Sequence, residues 1–291
     1  MTWILLTLLA VTMQAWRNAF QSQLGQEVPT VGVTLARFIW ASPIAAAYLL
    51  LLYHVAPQSI PHFNQSYWLF IVGASLMQIV ATSLMVVLFK MNNYAVGAGL
   101  AKSEAVVAAI LGTLFFGTSL SLLGWLGVVV GAVAVLMLSA ANGLKKLSMP
   151  TVLMGLACGA SFALTSLWVR EASLCLDIEF PHSAAWVLLM VITLQTILLL
   201  AYLIATSPAT LQALWQRPKL TLLISVSSCL GSIGWFSAMS IQNVPYVKTL
   251  GQIEIFVTML ISVYWLKQKV KVQDATALVL IAVAALLVIW G

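Results

Sequence analysis

The chain has 291 residues and a formal net charge of +6; 62% of its residues are hydrophobic and only 7% are charged. Average soluble domains carry about 25% charged residues, so this composition excludes a soluble globular protein and predicts an integral membrane protein. The basic residues are scattered, mostly between apolar runs, which argues against a nucleic-acid interface and predicts contact with a lipid bilayer.

Apolar runs of transmembrane length follow one another along the whole chain. They cover residues 2–20, 29–53, 66–89, 94–116, 119–141, 150–170, 183–205, 219–239, 246–266 and 273–290. Lipid cannot satisfy free backbone groups, so each run predicts a membrane-spanning helix. The predicted fold is therefore an all-α integral membrane protein with ten transmembrane helices. The first run has no basic stretch before it, so we expect a retained helix rather than a signal peptide.

The second half of the chain repeats the first. A shift of 150 residues places Glu104 on Glu254, and an asparagine stands eleven residues before each of them. An odd number of helices in each half gives the two halves opposite orientations in the membrane, as in many secondary transporters. We therefore predict two inverted five-helix repeats, over residues 1–145 and 146–291.

The basic residues are distributed unevenly between the two predicted sides of the membrane. Nine lie in or beside the connections after odd-numbered helices, whereas Arg170 and Lys248 lie on the other side. The positive-inside rule then places the odd-numbered connections in the cytoplasm and both termini outside. We expect a multi-pass protein of the cell inner membrane.

Four segments carry a family resemblance. They are Ala36-Arg37-Phe38, LFKMNNYAVGAGLAKSEAVVAAILG at residues 88–112, GWLGVVVGAVAVLML in the fifth predicted helix and ATALVLIAVAALLVIWG in the tenth. In combination they resemble the EamA-type branch of the drug/metabolite transporter superfamily. The resemblance covers the whole chain and implies a bacterial inner-membrane permease for amino acids, metabolites or drugs, usually working outward. The family often has a proline where this chain has Ser103-Glu104 and Ile253-Glu254, so the substrate class stays open.

The leading functional prediction is a secondary active transporter that exports small metabolites such as amino acids by alternating access, with protons as a coupling ion. An organic-cation or drug exchanger or importer is the alternative, since two buried acids would suit cations, and an intramembrane enzyme is less favoured. The sequence has no phosphate-binding glycine-rich loop and no metal-ligand spacing, so we expect no cofactor, no metal and no catalytic residues. Expected partners are a small-molecule substrate and the lipid bilayer, with the protein a monomer or weak dimer and no nucleic acid bound.

Two acids lie in the interiors of predicted helices. Glu104 and Glu254 each lie about ten residues from the start of a span, which is about 15 Å deep at 1.5 Å per residue. A carboxylate at this depth is costly and marks a functional site, here a proton carrier or cation-binding pair; the alternative is a structural ion pair. Lys102 points about 200° away from Glu104 on a helix and does not pair with it directly, so it is a candidate site residue that has another partner or faces the cavity. Since Lys102 is near Glu104 in sequence and Glu254 has only amide neighbours, we predict that Glu254 exchanges the proton.

Further polar and aromatic residues complete the predicted site. Arg37, about eight residues into its span, is a candidate clamp for a substrate carboxylate or phosphate, or a partner for a glutamate. Gln14, Gln78, Gln252, Trp235 and Tyr246 are predicted to line a cavity, although amides also join helices and aromatics also form interface belts. Arg17 and Arg170 are predicted to anchor helix ends at the membrane surface. The side chain of Lys248 is long enough for its ammonium to extend to the outer membrane surface.

Overall fold

The computed structural model describes residues 1–90, 101–141, 149–264 and 272–291. Regular structure in this part of the chain is entirely helical. The helices are α1 (Thr2–Leu24), α2 (Thr30–Ala36), α3 (Ala41–Val55), α4 (Gln65–Lys90), α5 (Glu104–Phe115), α6 (Leu122–Ala141), α7 (Met149–Leu174), α8 (His182–Thr206), α9 (Pro208–Trp215), α10 (Pro218–Ile241), α11 (Val244–Leu250), α12 (Glu254–Tyr264) and α13 (Val272–Trp290), with a 3-10 turn at Gly251–Ile253.

Several of these helices are suited to a bilayer. Five helical stretches among the described residues are long and apolar enough to cross a membrane, and α5 is a shorter apolar helix. Large aliphatic side chains such as Leu50, Leu69 and Leu122 are exposed on the outside of the bundle. Lipid is the environment in which such a surface is stable, since soluble proteins rarely expose large apolar patches. The structure thus confirms an all-helical, multi-pass membrane protein.

The bundle is organised around long helix pairs. α1 packs along α10, α4 packs along α7, and α6 packs along α13. The first pair is close because α10 presents glycine at the crossing: a Cβ added to Gly234 would lie 2.6 Å from the backbone oxygen of Leu6. Small residues at such crossings let backbones approach, which is how helices gain packing contacts inside a membrane. The centre of the bundle therefore lies between α1, α4, α7 and α10.

The predicted second span is not one continuous helix. It is interrupted between α2 and α3, at residues 37–40, just before Pro43, which has no backbone N–H to donate to the carbonyl of Ile39. The hydroxyl of Ser225 on α10 donates to the carbonyl of Ala36 (2.6 Å) and accepts from the backbone N–H of Trp40 (3.2 Å). The interruption is tolerated because a neighbouring helix satisfies the backbone groups that it frees.

Replacing Ser225 with alanine should destabilise the protein by about 1–3 kcal/mol, because two buried backbone groups lose their partner. Thermal unfolding of the purified protein in detergent micelles measures the effect. Ser227→Ala on the same helix is the matched control, because the Ser227 hydroxyl is not the one that bridges Ala36 and Trp40. Equal unfolding temperatures for the two variants would mean that Ser225 does not hold the interruption together.

Two more interruptions correspond to each other. The predicted ninth span divides at Gly251–Ile253, so α12 begins at Glu254, and α5 begins at Glu104 directly after a turn at residues 102–103. Residues 91–100 of the predicted fourth span lie outside the described part. Both acids are thus the first residue of an α-helical segment, where the helix dipole favours negative charge. The prediction of continuous fourth and ninth spans was wrong at these two places.

Candidate functional site

A small polar cavity lies at mid-depth in the bundle. Its lining includes Gln14, Arg17, Arg37, Gln78, Lys102, Glu104, Trp235 and Lys248, together with apolar side chains from α4, α7 and α10. The space is about 30 Å³, enough for about one water molecule. Ligand pockets usually measure about 300–1,000 Å³, so this cavity is closed around its own side chains.

Glu254 is held by three donors. Its carboxylate accepts hydrogen bonds from Gln14 Nε2 (2.5 Å) and Asn18 Nδ2 (2.9 Å), both on α1. It also forms an ion pair with the Lys102 ammonium at the start of the fourth-span segment. The side chain is only 4% exposed, so these contacts replace the water that a carboxylate would otherwise require.

Glu104 forms a longer ion pair than Glu254 does. Its carboxylate lies 3.5 Å from the ammonium of Lys248 on α11, and both groups are buried. The same ammonium lies 4.3 Å from the centre of the Trp235 ring, a cation–π contact. Trp235 Nε1 donates to Gln14 Oε1 (3.0 Å), and Gln14 in turn donates to Glu254. Gln14 therefore connects the two ion pairs into one network.

The two ion pairs cross between the halves of the chain. Lys102 from the first half pairs with Glu254 from the second, and Lys248 from the second half pairs with Glu104 from the first. The expectation that Glu254 has only amide neighbours was wrong, as was the expectation that Lys248 reaches the surface. Pairing across the chain requires α5 to pack on α11, and α1 on α12, which residue spacing alone does not reveal.

Arg37 lies where the second span is interrupted and is only 3% exposed. Its guanidinium donates from Nη1 to Thr82 Oγ1 (2.6 Å) and from Nε to Ser228 Oγ (3.1 Å). Both acceptors are neutral hydroxyls, and within the described residues Arg37 forms no ion pair. Of the two roles predicted for Arg37, pairing with a glutamate is not found in the structure.

Sequence reasoning missed two residues of α1: Arg17, which lines the cavity, and Asn18, which donates a hydrogen bond to Glu254. This helix runs to Leu24, so Arg17 lies well inside it, is buried and lines the cavity instead of anchoring a helix end. Arg17 Nη2 donates to Asn18 Oδ1 (2.8 Å). A pattern was available to find them: together with the predicted Gln14, Arg17 and Asn18 follow the i, i+3, i+4 spacing of one helix face.

Of the remaining residues predicted to line the cavity, Gln78 does so, whereas Gln252 and Tyr246 lie outside the lining. Gln78 lines the cavity and accepts a hydrogen bond from Gln195 Nε2 (2.7 Å). Gln252 is buried in the 3-10 turn against Gly131 and does not belong to the cavity lining. Tyr246 is also outside the lining; its hydroxyl accepts from the backbone N–H of Ser121 (3.0 Å) near one end of the bundle.

These features fit a solute pathway: a buried charged network at interrupted helices in a membrane protein. The family model of EamA-like transporters matches the first half of the chain. Residues 1–140 belong to the EamA-like transporter family. This confirms the resemblance found in the sequence over residues 1–140, and the family that matches there consists of membrane transporters of the drug/metabolite superfamily. Small-molecule transport and a lipid environment follow from that membership.

Two further comparisons bear on this EamA-like transporter. A solved crystal structure, described only as that of a protein, aligns with 98% of this chain and 98% of its own at a TM-score of 0.71 and 16% identity. At that identity the likeness shows a shared fold alone. No curated protein matches the chain. Within the described residues, no group of three His, Cys, Asp or Glu side chains is placed to hold a metal ion.

Proposed function

We propose that this EamA-like transporter is a secondary transporter that exports small metabolites such as amino acids by alternating access, in exchange for protons. The observation that carries the proposal is the crossing of the two ion pairs at the central cavity. Ion pairs that join the two halves can break and reform when the halves move against each other. A buried carboxylate in such a network can also exchange a proton for substrate.

The proposed architecture is ten spans in two inverted repeats, residues 1–145 and 146–291. Helix packing supports it, because the 150-residue shift relates α1 to α7 and α4 to α10. If each helix is replaced by its equivalent in the other half, the α1–α10 pair becomes the α7–α4 pair. Both pairs are among those with the most extensive packing in the bundle. The interruptions before Glu104 and Glu254 are also related by the 150-residue shift. Substrate sites in inverted-repeat transporters lie at such interrupted helices near the midplane.

The closed cavity fits a cycle of alternating access. Space for about one water molecule cannot hold a metabolite, so binding requires the halves to separate on one side of the membrane. The crossed ion pairs lie between the halves and are the contacts that such a movement would stretch first. The closed form described here is then an intermediate between the two open forms.

Two other functions have less support. An organic-cation exchanger was attractive because of the two buried acids, but each acid is already paired with a lysine. An intramembrane enzyme requires a nucleophile next to a base, or a metal. The cavity lining instead consists of charged side chains, amides, hydroxyls and apolar side chains.

Counterflow is the direct test of transport. Thermal unfolding of the purified protein is first measured with pools of amino acids and organic acids, because only ligands of the folded state raise its stability. Liposomes containing the protein are then loaded with each stabilising compound and supplied with its labelled form outside. We expect transient accumulation of label without any gradient. Stabilising compounds that bind but never exchange would contradict a transport function.

The proposed orientation places both termini outside and the odd-numbered connections in the cytoplasm. Burial of Arg17 and Lys248 at the cavity removes one residue from each side, leaving eight basic residues against Arg170. Arg170 itself donates to two carbonyls at the end of α10, those of Met239 and Gln242 (2.7 Å each), so its role as an interface anchor is replaced by a structural one. The bias of eight to one favours the same orientation as before.

Reporter fusions test this orientation. An alkaline phosphatase fused after Gly291 should be active, because that enzyme folds only outside the cytoplasm, and a fluorescent protein inserted near Lys145 should be bright in the cytoplasm. The same reporters exchanged between the two positions are the control and should both be silent. Activity in the exchanged set and silence in the first set would reverse the orientation.

A further inference from the structure

Two glutamine side chains form a hydrogen-bonded chain that ends at the cavity. Gln195 on α8 is fully buried, and its Nε2 donates to the backbone carbonyl of Ser75 (3.3 Å) and to Oε1 of Gln78 (2.7 Å), both on α4. A backbone carbonyl accepts hydrogen bonds and cannot donate them, so the Ser75 carbonyl fixes which end of the Gln195 amide faces α4. The NH2 end of Gln195 therefore faces Gln78 and holds its oxygen.

The orientation of the Gln78 amide follows from this contact. Gln78 lines the cavity, and its oxygen is already engaged by Gln195. The polar group that it has left for the cavity is its NH2 group, which carries two N–H donors. Among the described residues, no hydrogen bond uses that NH2 group. Gln78 therefore offers donors to the cavity, although a freely rotating amide would offer either a donor or an acceptor.

A second donor group lies on the same wall of the cavity. The Arg37 guanidinium also lines the cavity, and its Nη1 donates to Thr82 Oγ1 (2.6 Å). Thr82 follows Gln78 by four residues on α4, so their side chains lie on one face, one turn apart. The other hydrogen bond of Arg37, from Nε to Ser228 Oγ (3.1 Å), leaves N–H donors on the terminal nitrogens. Donors from two neighbouring planar groups suit the two oxygens of a carboxylate.

We propose that Gln195 is a positioning residue for substrate specificity: it fixes the Gln78 amide so that its NH2 group donates, together with the Arg37 guanidinium, to a carboxylate of the substrate. The inference rests on the proposed function in that this carboxylate belongs to the transported compound. Without Gln195, the Gln78 amide is free to turn its oxygen toward the cavity, where a carboxylate would meet an acceptor instead of a donor. Gln195 thus selects for oxygen acceptors without touching the substrate.

Ligands of equal chain length test the donor wall in the wild-type protein. Binding to protein in lipid nanodiscs is measured for pentanoate, pentanamide and pentylamine, and empty nanodiscs measure the part due to lipid. Pentanoate should bind at least about 10-fold more tightly than pentylamine, because an ammonium group accepts no hydrogen bond and a hydrogen bond to a charged acceptor contributes roughly a factor of 10. Pentanamide, which has one acceptor oxygen, should lie between them.

A double-mutant cycle then tests whether Gln195 acts through Gln78. Gln195→Leu and Gln78→Met should each weaken pentanoate binding roughly 10-fold and leave pentylamine binding largely unchanged. The double variant should bind pentanoate no more weakly than Gln78→Met alone, because no amide is then left for Gln195 to orient. Gln195→Asn has a shorter reach, should show the same loss, and replaces the leucine variant if that variant does not fold. Gln65→Met, at an exposed position at the start of α4, is the control and should bind as the wild type does.

Several results would overturn this inference. In the wild type, these are no binding of pentanoate, or pentylamine bound as tightly as pentanoate. In Gln195→Leu, an equal loss for all three ligands would mean that Gln195 only supports the fold. Losses that multiply in the double variant would mean that Gln195 and Gln78 act independently.

The transport proposal is tested separately from this inference. Counterflow of another solute, by a protein with no preference for pentanoate, would refute the inference and leave transport standing. Pentanoate binding that depends on both Gln195 and Gln78, without counterflow of pentanoate, would support the inference and contradict transport of the bound compound.

Discussion

Replacing Glu254 with glutamine should destabilise the protein by about 3–5 kcal/mol, because Lys102 would remain buried and charged without its counter-ion. Removing both charges, in a Lys102→Met, Glu254→Gln double variant, should recover much of that loss, since no unpaired charge is then left in the bundle. Unfolding of the wild type, the two single variants and the double variant in micelles forms a complete double-mutant cycle. We expect a coupling free energy of roughly 2–3 kcal/mol.

An exposed ion pair supplies the control for this cycle. Glu27 pairs with Arg217 (2.6 Å), and both side chains are about half exposed. Glu27→Gln should therefore change the free energy of unfolding by less than about 1 kcal/mol. If Glu254→Gln is no more costly than Glu27→Gln, Lys102 and Glu254 do not form a buried pair, and the crossed arrangement fails with it.

Replacing Glu104 with glutamine should abolish accumulation driven by a pH gradient while leaving counterflow. A proton on Glu254 would have to displace three donors that already hold its oxygens. Among the described residues, the Glu104 carboxylate pairs with the Lys248 ammonium at 3.5 Å, so it is held by fewer and longer contacts than Glu254 and is our candidate for the exchanging proton. This reverses the assignment made from the sequence, which rested on the supposed lack of charge near Glu254.

Proteoliposomes measure the difference. Uptake of a counterflow substrate is compared with and without an imposed pH gradient, for the wild type, Glu104→Gln and Glu27→Gln, the last being an exposed acid and expected to behave as the wild type. Accumulation against a gradient by Glu104→Gln would show that the proton is carried elsewhere. If the wild type does not respond to the pH gradient either, coupling to protons is absent.

The sequence predicts the positions of the spans well, because apolar length is the dominant signal in lipid. Most predicted runs lie within a few residues of a helix in the described part of the structure. The interruption at Arg37 has one sequence signal, Pro43, but the hydrogen bonds that satisfy its free backbone groups come from Ser225, on a helix nearly 190 residues later. At the interruption at Gly251, the Trp235 ring packs directly on that glycine, a contact that the sequence does not show.

The site was predictable as a set of residue types but not as a set of contacts. Glu104, Lys102 and Arg37 stand out because charge is rare in apolar runs, and the structure brings all three to one cavity. Which lysine neutralises which glutamate depends on how α5 packs against α11 and how α12 lies beside α1. Asn18 was missed because a single amide near a predicted helix end is unremarkable until its contact with Glu254 is seen.

Each half of the chain carries one lysine and one glutamate of the crossed pairs. Consider two identical copies of one half, packed in the inverted arrangement proposed above. The lysine of each copy would then face the glutamate of the other, so every charge would have a partner. The charge pattern of either half is thus compatible with an ancestral two-chain transporter assembled from identical subunits. The lysines lie at positions that the 150-residue shift does not relate, 102 and 248, so the two sides of the cavity are not identical.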